Sequence, residues 1–401
     1  MKLAMVNLIT QTLKEPFTTS TLQDDSDLNV IQLAKRFAVR GINTTVFISD
    51  YYKPAYTIGN TFPNLQVKYL KTLLKKIFLP TRIPFTPGLL YHFWKERFDY
   101  ILSYELFSFG TLLALLSPPP TRIVVWQELD KFSRFPLNIM QRIFYFFIRL
   151  FRKRIYAIVP KMNSTRRFLE ENGFRDRLTP FNIYWHGHSA YLTPAPKEEA
   201  RKSLGLPADK KIVLTIARFD ADKGLDKLVE AAGIVSQKRT DILFLLKGDG
   251  PLKSQILQQI ENNGLKDVVR VISEKMPVSK MADLISASDI FIMPSYRDLC
   301  TFSIIEAMLV GKPIIASNIE GVRDYVLDGV NGYYLGTNEP PKMAQAIIRI
   351  IEGELIGKMG IKSKEIALKL FTEEVVSEQF MSLLSSEIRS LPDSKDLEPP
   401  A

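Results

Sequence analysis

Short apolar runs rich in β-branched, aliphatic and aromatic residues recur along the chain, and stretches with apolar positions at helical spacing separate them. In the first half the runs lie at 2–9, 44–49, 122–128 and 156–159; in the second they lie at 211–217, 242–246, 268–273, 289–293 and 313–316. Their near-continuous hydrophobicity predicts strands buried on both faces, as in a parallel sheet. Helical periodicity is clear over 27–40, closed by Gly41 as a C-cap, and over 225–235. It returns over 302–310, stopped by Gly311 and Pro313, and over 341–352, 355–370 and 372–389. Strands alternating with helices predict an α/β fold of doubly wound type. With 401 residues the chain exceeds one typical domain, and two are expected.

Composition excludes some classes. The single cysteine, Cys300, rules out an internal disulfide framework and suits a reducing compartment; it reads as a small semi-buried residue. The opening MKLAMVNLIT reads as a strand and not as a signal peptide, and no apolar run approaches the ~18–20 residues that span a bilayer. Charge changes the picture more. Residues 1–190 hold 26 Lys and Arg against 13 Asp and Glu, whereas the remainder holds 27 against 30, so the formal charge of +10 resides in the first half. Residues 51–95 contain seven Lys or Arg and no acid, and residues 131–169 contain ten and no acid. The centre of the second stretch, RIFYFFIRLFRKRI at 142–155, is a candidate amphipathic helix. Basic side chains among Phe, Ile and Leu suit the interface of an anionic membrane. The plainer alternative is a helix packed on the sheet with its basic end in solvent. No recognition motif accompanies these patches, so no nucleic-acid partner is expected.

Candidate chemistry concentrates in the second half. The run 211–217 ends in Arg218, with Lys223-Gly224 five residues on and a helix opening near Leu225. A strand-end Arg, a Lys and a helix N-terminus together make an anion site, because Arg grips phosphate through parallel donors and Lys adds a point charge. The run 242–246 leads to Gly248-Asp249-Gly250-Pro251, a turn that permits close backbone approach to a ligand. After the run 289–293, a short loop delivers Asp298 to the carboxyl end of a strand, and Glu306 follows inside a helix. Two ionised carboxylates, which only accept hydrogen bonds, suit a ligand rich in hydroxyls. Ser303-x-x-Glu306 also fits a capping box, in which the Glu would satisfy a backbone N–H instead. His186-x-His188 supplies two metal ligands and no third, so no metal site is expected. The first strand is not followed by Gly-x-Gly-x-x-Gly, which argues against an NAD-dependent enzyme.

The order of these motifs resembles the retaining glycosyltransferases of GT-B fold, specifically family four (glycosyl transferases group 1). Pro294-Ser295, the acid pair Asp298 and Glu306, Glu306-Ala307-Met308, Gly311-Lys312-Pro313, Asp324 and the closing Asp328-Gly329 with Gly332 follow the family's frame in sequence. The match is strong over 211–335 and looser over 1–190. Departures are Asp298 where Glu is usual, Thr301 and Ala217 where Gly is usual, Glu320-Gly321 for a Gly pair, and no glycine in the loop 10–16.

The resemblance implies two Rossmann-like doubly wound domains facing a central cleft. The expected boundaries are an acceptor-binding domain over 1–190, a linker at 191–197, a donor-binding domain over 198–370, a helix at 371–391 returning to the first domain, and a disordered tail at 392–401. It implies a nucleoside-diphosphate sugar as donor and a glycan or lipid-linked hydroxyl as acceptor, with retained anomeric configuration and no cofactor or metal. Arg218 and Lys223 would meet the charge of the leaving diphosphate, aided by amides near Thr301, Phe302 and Ser303. Asp298 would accept from the transferred sugar and Glu306 from ribose, with Gly248 and Gly250 also at the donor. Gln127 or Glu128 would stand where relatives often place a sugar-contacting His. Cell-envelope polysaccharide or glycolipid synthesis, in the cytoplasm at the inner face of the membrane, is the expected setting. The alternative is a degenerate GT-B protein that binds a nucleotide sugar or a partner at the membrane without transferring.

Overall fold

The computed structural model describes residues 1–8, 28–54, 57, 61–76, 84–130, 138–184, 193–297, 301–336 and 339–385. They divide into two compact units, Met1–Gly187 with the segment beginning at Glu374, and His188–Glu373.

The first unit runs β1 (Lys2–Val6), α1 (Asn29–Val39), β2 (Asn43–Ser49), β3 (Leu65–Leu70), α2 (Gly88–Glu96), β4 (Tyr100–Tyr104), α3 (Phe109–Leu115), β5 (Arg122–Gln127), α4 (Asn138–Leu150), β6 (Ile155–Pro160) and α5 (Asn163–Glu171). Its strands form one sheet in the order β3-β2-β1-β4-β5-β6, and every pairing is parallel. The chain lays strands outward from β1 in one direction and then, after β3, restarts at β4 on the other side. The periodicity of α1 does its expected work: Val30, Ile31, Leu33, Ala34, Phe37 and Ala38 all face the core. α3 is capped by Ser108, whose side chain accepts from Thr111 N at 3.1 Å.

The second unit runs α6 (Lys197–Ser203), β7 (Lys211–Ile216), α7 (Leu225–Ser236), β8 (Ile242–Lys247), α8 (Lys253–Asn262), β9 (Val269–Ile272), α9 (Val278–Ala287), β10 (Ile290–Met293), α10 (Phe302–Leu309), β11 (Ile314–Ser317), α11 (Glu320–Arg323), β12 (Gly332–Leu335), α12 (Pro340–Glu352) and α13 (Leu355–Leu370). The sheet is again parallel, in the order β12-β11-β10-β7-β8-β9. α7, α8 and α12 bury their apolar stripes against one face, meeting Val213, Phe244, Ile292 and Ile315. α10 lies against α9 and α13, and α6 against α9.

The last described helix, α14 (Glu373–Leu384), belongs to the first unit from Glu374 onward. Val376, Phe380, Leu383 and Leu384 join its core. Phe380 meets the rings of Phe37 and Trp126 edge-on, at centroid distances of 5.7 and 5.5 Å. Burying three aromatic rings in such contacts stabilises by roughly 0.5–1.5 kcal/mol per pair beyond area burial.

Two sequence expectations need correction. The amphipathic helix expected over 142–155 begins at Asn138 and ends at Leu150; Arg152–Arg154 make a single 3-10 turn, because Ile155 is already needed, fully buried, in β6. The basic stretch 51–95 contains an edge strand, β3, whose Lys68 is held by Glu96 at 2.6 Å. Lys197 is not linker but the first residue of α6, and it pairs with buried Asp289. The expected tail lies outside the described residues.

Candidate active site

The second sheet reverses its order between β7 and β10, which pair in parallel. Helices leave such neighbouring strands on opposite sides, and their carboxyl ends open a crevice where ligands bind in doubly wound folds. Most residues singled out from the second half meet at this edge.

The loop after β7 is fixed by its backbone. Ala217 N donates to Lys247 O at 3.0 Å, and the N–H of fully buried Phe219 donates to Asp249 O at 2.9 Å. Between these anchors stands half-buried Arg218, its Nε 3.0 Å from Asp220 Oδ2. Ala221–Lys223 form one 3-10 turn, and Gly224, left-handed at φ 63°, leads into α7. A Cβ on Gly224 would stand 2.4 Å from the carbonyl oxygen of Pro294, just after β10. Tyr296 N donates to Asp222 O at 2.8 Å. The loops after β7 and β10 therefore clasp each other backbone to backbone, with half-buried Lys223 in the clasp.

α10 completes the edge. Its first turn is seated on the end of β7, where Ser303 Oγ donates to Ile216 O at 3.1 Å, two residues before Arg218. Ile304, Ile305, Ala307 and Met308 are buried, which leaves Phe302, Ser303 and Glu306 on the less buried side. Glu306 lies one turn along from Phe302 and Ser303. First-turn amides lack intrahelical partners and form the positive end of the helix dipole. Arg218, Lys223 and this helix end thus gather positive charge at one sheet edge, with Glu306 adding an acceptor. Two buried hydroxyls here, Ser295 Oγ and Thr301 Oγ1, make no hydrogen bond among the described residues. An unsatisfied buried polar group costs about 1–3 kcal/mol and calls for a reason. Lys247, at the end of β8, is a further cation that sequence reading passed over. Its Nζ donates to Glu274 O at 2.5 Å, and burial pushes its pKa down, against the opposing pull of Glu274 and Asp249.

The capping-box alternative does not survive the geometry. The helix starts at Phe302 with Thr301 as its cap, so Ser303 is inside it, and its hydroxyl is given to Ile216. The Gly-x-Gly turn also has another reason. Gly248 and Gly250 adopt φ of 150° and 158°; a Cβ would stand 1.8 Å from Ala217 O at the first and 2.8 Å from the backbone N and O of Phe219 at the second. The close approach that demands glycine is to the β7 loop. Gly248→Ala is therefore expected to destabilise this unit by at least about 3 kcal/mol, the scale of a backbone clash at a forbidden φ. A thermal melt indistinguishable from the parent chain would contradict it.

In the first unit, Gln127 is fully buried and its amide is committed. Oε1 accepts from Leu106 N at 2.7 Å, and Nε2 donates to Glu105 Oε2 at 2.7 Å and Leu129 O at 2.9 Å. It braces the turn after β4 and has no donor left for a sugar. Glu128 is more open and stands 3.4 Å from the ammonium of nearly buried Lys161. The turn it helps shape is strained: Glu105, a non-glycine residue, adopts φ 65° while its carboxylate also accepts from Glu128 N at 3.3 Å. A left-handed non-glycine costs about 1–3 kcal/mol and clusters at functional sites. Its sequence signal was an acid directly after a short apolar strand, at the β1/β4 reversal. Asp298, the loop 10–16, His186 and His188 lie outside the described residues.

Residues 196–366 match the family model of glycosyl transferases group 1. Alpha-D-kanosaminyltransferase of Streptomyces kanamyceticus is 31% identical over 160 residues, 40% of this chain and 41% of its own length. An uncharacterised glycosyltransferase of Methanocaldococcus jannaschii is 23% identical over 360 residues, 85% of each chain. With the first of these relatives the chain shares less than half of the relative's length. HepE of Anabaena, solved in complex with UDP, superposes with a TM-score of 0.71 at 19% identity, covering 96% of this chain and all of that one. The chain has the GT-B fold, and its second unit is similar to the group 1 glycosyl transferases.

Proposed function

We propose that the protein transfers a sugar from a nucleoside-diphosphate sugar to a hydroxyl of a glycan or lipid-linked acceptor, with retention of configuration and without a metal. The observation that carries this reading is the clasp at the β7/β10 reversal, which holds Lys223 against the loop after β10 while α10 is seated two residues before Arg218. When the bond from the anomeric carbon to the diphosphate oxygen breaks, negative charge grows on the leaving group, and preorganised cations and amides stabilise it. The acceptor oxygen then bonds to the anomeric carbon on the face the diphosphate leaves, and its proton passes to a donor phosphate oxygen. Asp298 is assigned to the transferred sugar and Glu306 to ribose. Membrane-proximal glycan synthesis in the cytoplasm fits the basic first unit.

The test is a thermal-shift screen with UDP, GDP and ADP and their sugars, with and without EDTA. Because HepE was solved with UDP, uridine nucleotides come first. A shift that survives EDTA, together with release of an α-configured sugar from an α-linked donor as read by NMR, is the expected result. Binding with neither hydrolysis nor transfer to any acceptor would favour the non-transferring alternative; no nucleotide shift at all would refute both. Glu306→Ala should weaken nucleotide affinity by about 10–100-fold, the scale of one charged hydrogen bond, and leave melting of the unliganded chain little changed. Unchanged affinity would remove Glu306 from the site.

A further inference from the structure

α4 buries only one side of itself. Phe144 and Ile148 enter the core beneath the sheet, and Phe144 meets Phe109 of α3 at 4.9 Å between ring centroids. The opposite side carries Ile143, Phe146, Phe147 and Leu150, exposed at 49, 62, 39 and 60%. Their spacing of three and four residues makes one continuous apolar stripe on the helix. Arg142 and Arg149, both exposed, flank it, with Arg149 over the ring of Tyr145, and exposed Lys153 follows in the next turn. The same helical layer extends the surface. α3 lies between α2 and α4. Its carboxyl end is bracketed by Trp94 Nε1, donating to Leu116 O at 3.2 Å, and by Arg154, donating to Ser117 O at 2.7 Å. Trp94 and Tyr91 are more than half exposed, and each carries a cation over its ring, Arg97 and Lys95 respectively.

A monomer rarely leaves so many large apolar side chains together without a use. We infer that the outer face of α4, extended by Trp94 and Tyr91 of α2, is the surface by which the protein docks on an anionic lipid bilayer. Phe and Leu enter the acyl boundary, Trp and Tyr settle at headgroup depth, and the flanking Arg and Lys meet lipid phosphates. Charge selects this occupant over a second copy of the chain. A symmetric pairing of α4 faces would set Arg142, Arg149 and Lys153 against their own duplicates; no acid lies in 131–169, and Asp176, which reaches this turn, is already paired with Arg152 and Arg177. The inference bears on where a lipid-linked acceptor would be met under the reading above. It rests on exposed side chains of the first unit, whereas the nucleotide chemistry is assigned to the second, so either can fail alone.

The test is cosedimentation of the full chain with phosphatidylcholine vesicles, with and without phosphatidylglycerol. Binding should require the anionic lipid and fall as salt is raised. Phe146→Asp and Leu150→Asp together should weaken partitioning by at least about tenfold. Arg142→Glu with Arg149→Glu should do so most at low salt. Both side-chain pairs are exposed, so melting temperature and uridine-nucleotide binding should stay as in the parent; these readouts separate lost docking from lost folding. No binding to anionic vesicles at low salt would overturn the inference. So would binding that the α4 variants leave unchanged, or a dimer that Phe146→Asp converts to monomer.

Discussion

Arg218→Ala is expected to lower turnover by about 10²–10³, the scale for losing one preorganised donor to a developing anion. The magnitude follows from position as well as charge. Arg218 is held between two backbone anchors, at Ala217 and Phe219, so its guanidinium reaches the sheet edge from a fixed base. Its partner Asp220 is mostly buried, with 18% of the side chain exposed. Without the guanidinium that carboxylate would face the diphosphate uncompensated, adding repulsion to lost attraction. Arg218→Lys should recover part of the rate, because it restores charge but not the paired donors that fit a phosphate. Lys223→Ala should act in the same direction, since Lys223 sits in the clasp with Pro294 and Tyr296. Steady-state rates with a saturating uridine-diphosphate sugar decide the matter. A loss below threefold for Arg218→Ala would end its assignment to the leaving group.

Much of this edge was legible in the chain. Arg218, Lys223 and Glu306 each follow a buried strand at a fixed interval, and hydrophobic periodicity locates such strands well. The helix over 302–310 was readable for the same reason, with Gly311 and Pro313 stopping it. What sequence could not supply was the partner across each contact. The glycines of Gly248-Asp249-Gly250 look as if they admit a ligand, but they admit the backbone of Ala217 and Phe219 from a strand about thirty residues earlier. Ser303 and Glu306 have capping-box spacing, and only the β7 carbonyl at Ile216 shows where the hydroxyl goes. Gln127 ends an apolar run as a ligand-facing residue would, yet Glu105, from the neighbouring strand end, claims it. Such gaps share one cause: contacts between neighbouring parallel strands join residues far apart in sequence, and local pattern is blind to them. The basic 131–169 stretch shows the converse. Its composition announced an amphipathic helix, but the helix ends at Leu150 because Ile155 is claimed by the sheet.

Asp289→Asn is expected to destabilise the second unit by about 3–5 kcal/mol, the cost of stripping one partner from a buried ion pair. Asp289 sits at the start of β10 with 1% of its side chain exposed. It holds Arg201 Nη2 at 2.7 Å, pairs with Lys197, and accepts from Ile212 N at 2.7 Å. One carboxylate thereby ties α6 to β7 and β10, the two strands whose ends build the site. Lys312 adds a third cation nearby. Its Nζ donates to Ser286 O and Ser288 O at 2.7 Å, and its pKa is lowered to about 8, by burial first, then by Lys197 and Arg201 against the opposing pull of Asp289. The lysine of Gly311-Lys312-Pro313 is thus a strut under the site and not a group in it. The sign of its pH effect is fixed. A folded-state pKa of about 8 against 10.5 unfolded means the native chain binds fewer protons between those values, so this group makes stability rise with pH across that window, by about 3 kcal/mol in all. Removing the Asp289 charge deletes the attraction that raises the Lys312 pKa, so in Asp289→Asn the rise should begin at lower pH. Urea unfolding at a series of pH values reads both effects. A destabilisation below 1 kcal/mol with an unchanged pH window would mean that α6 is held by packing and not by this carboxylate.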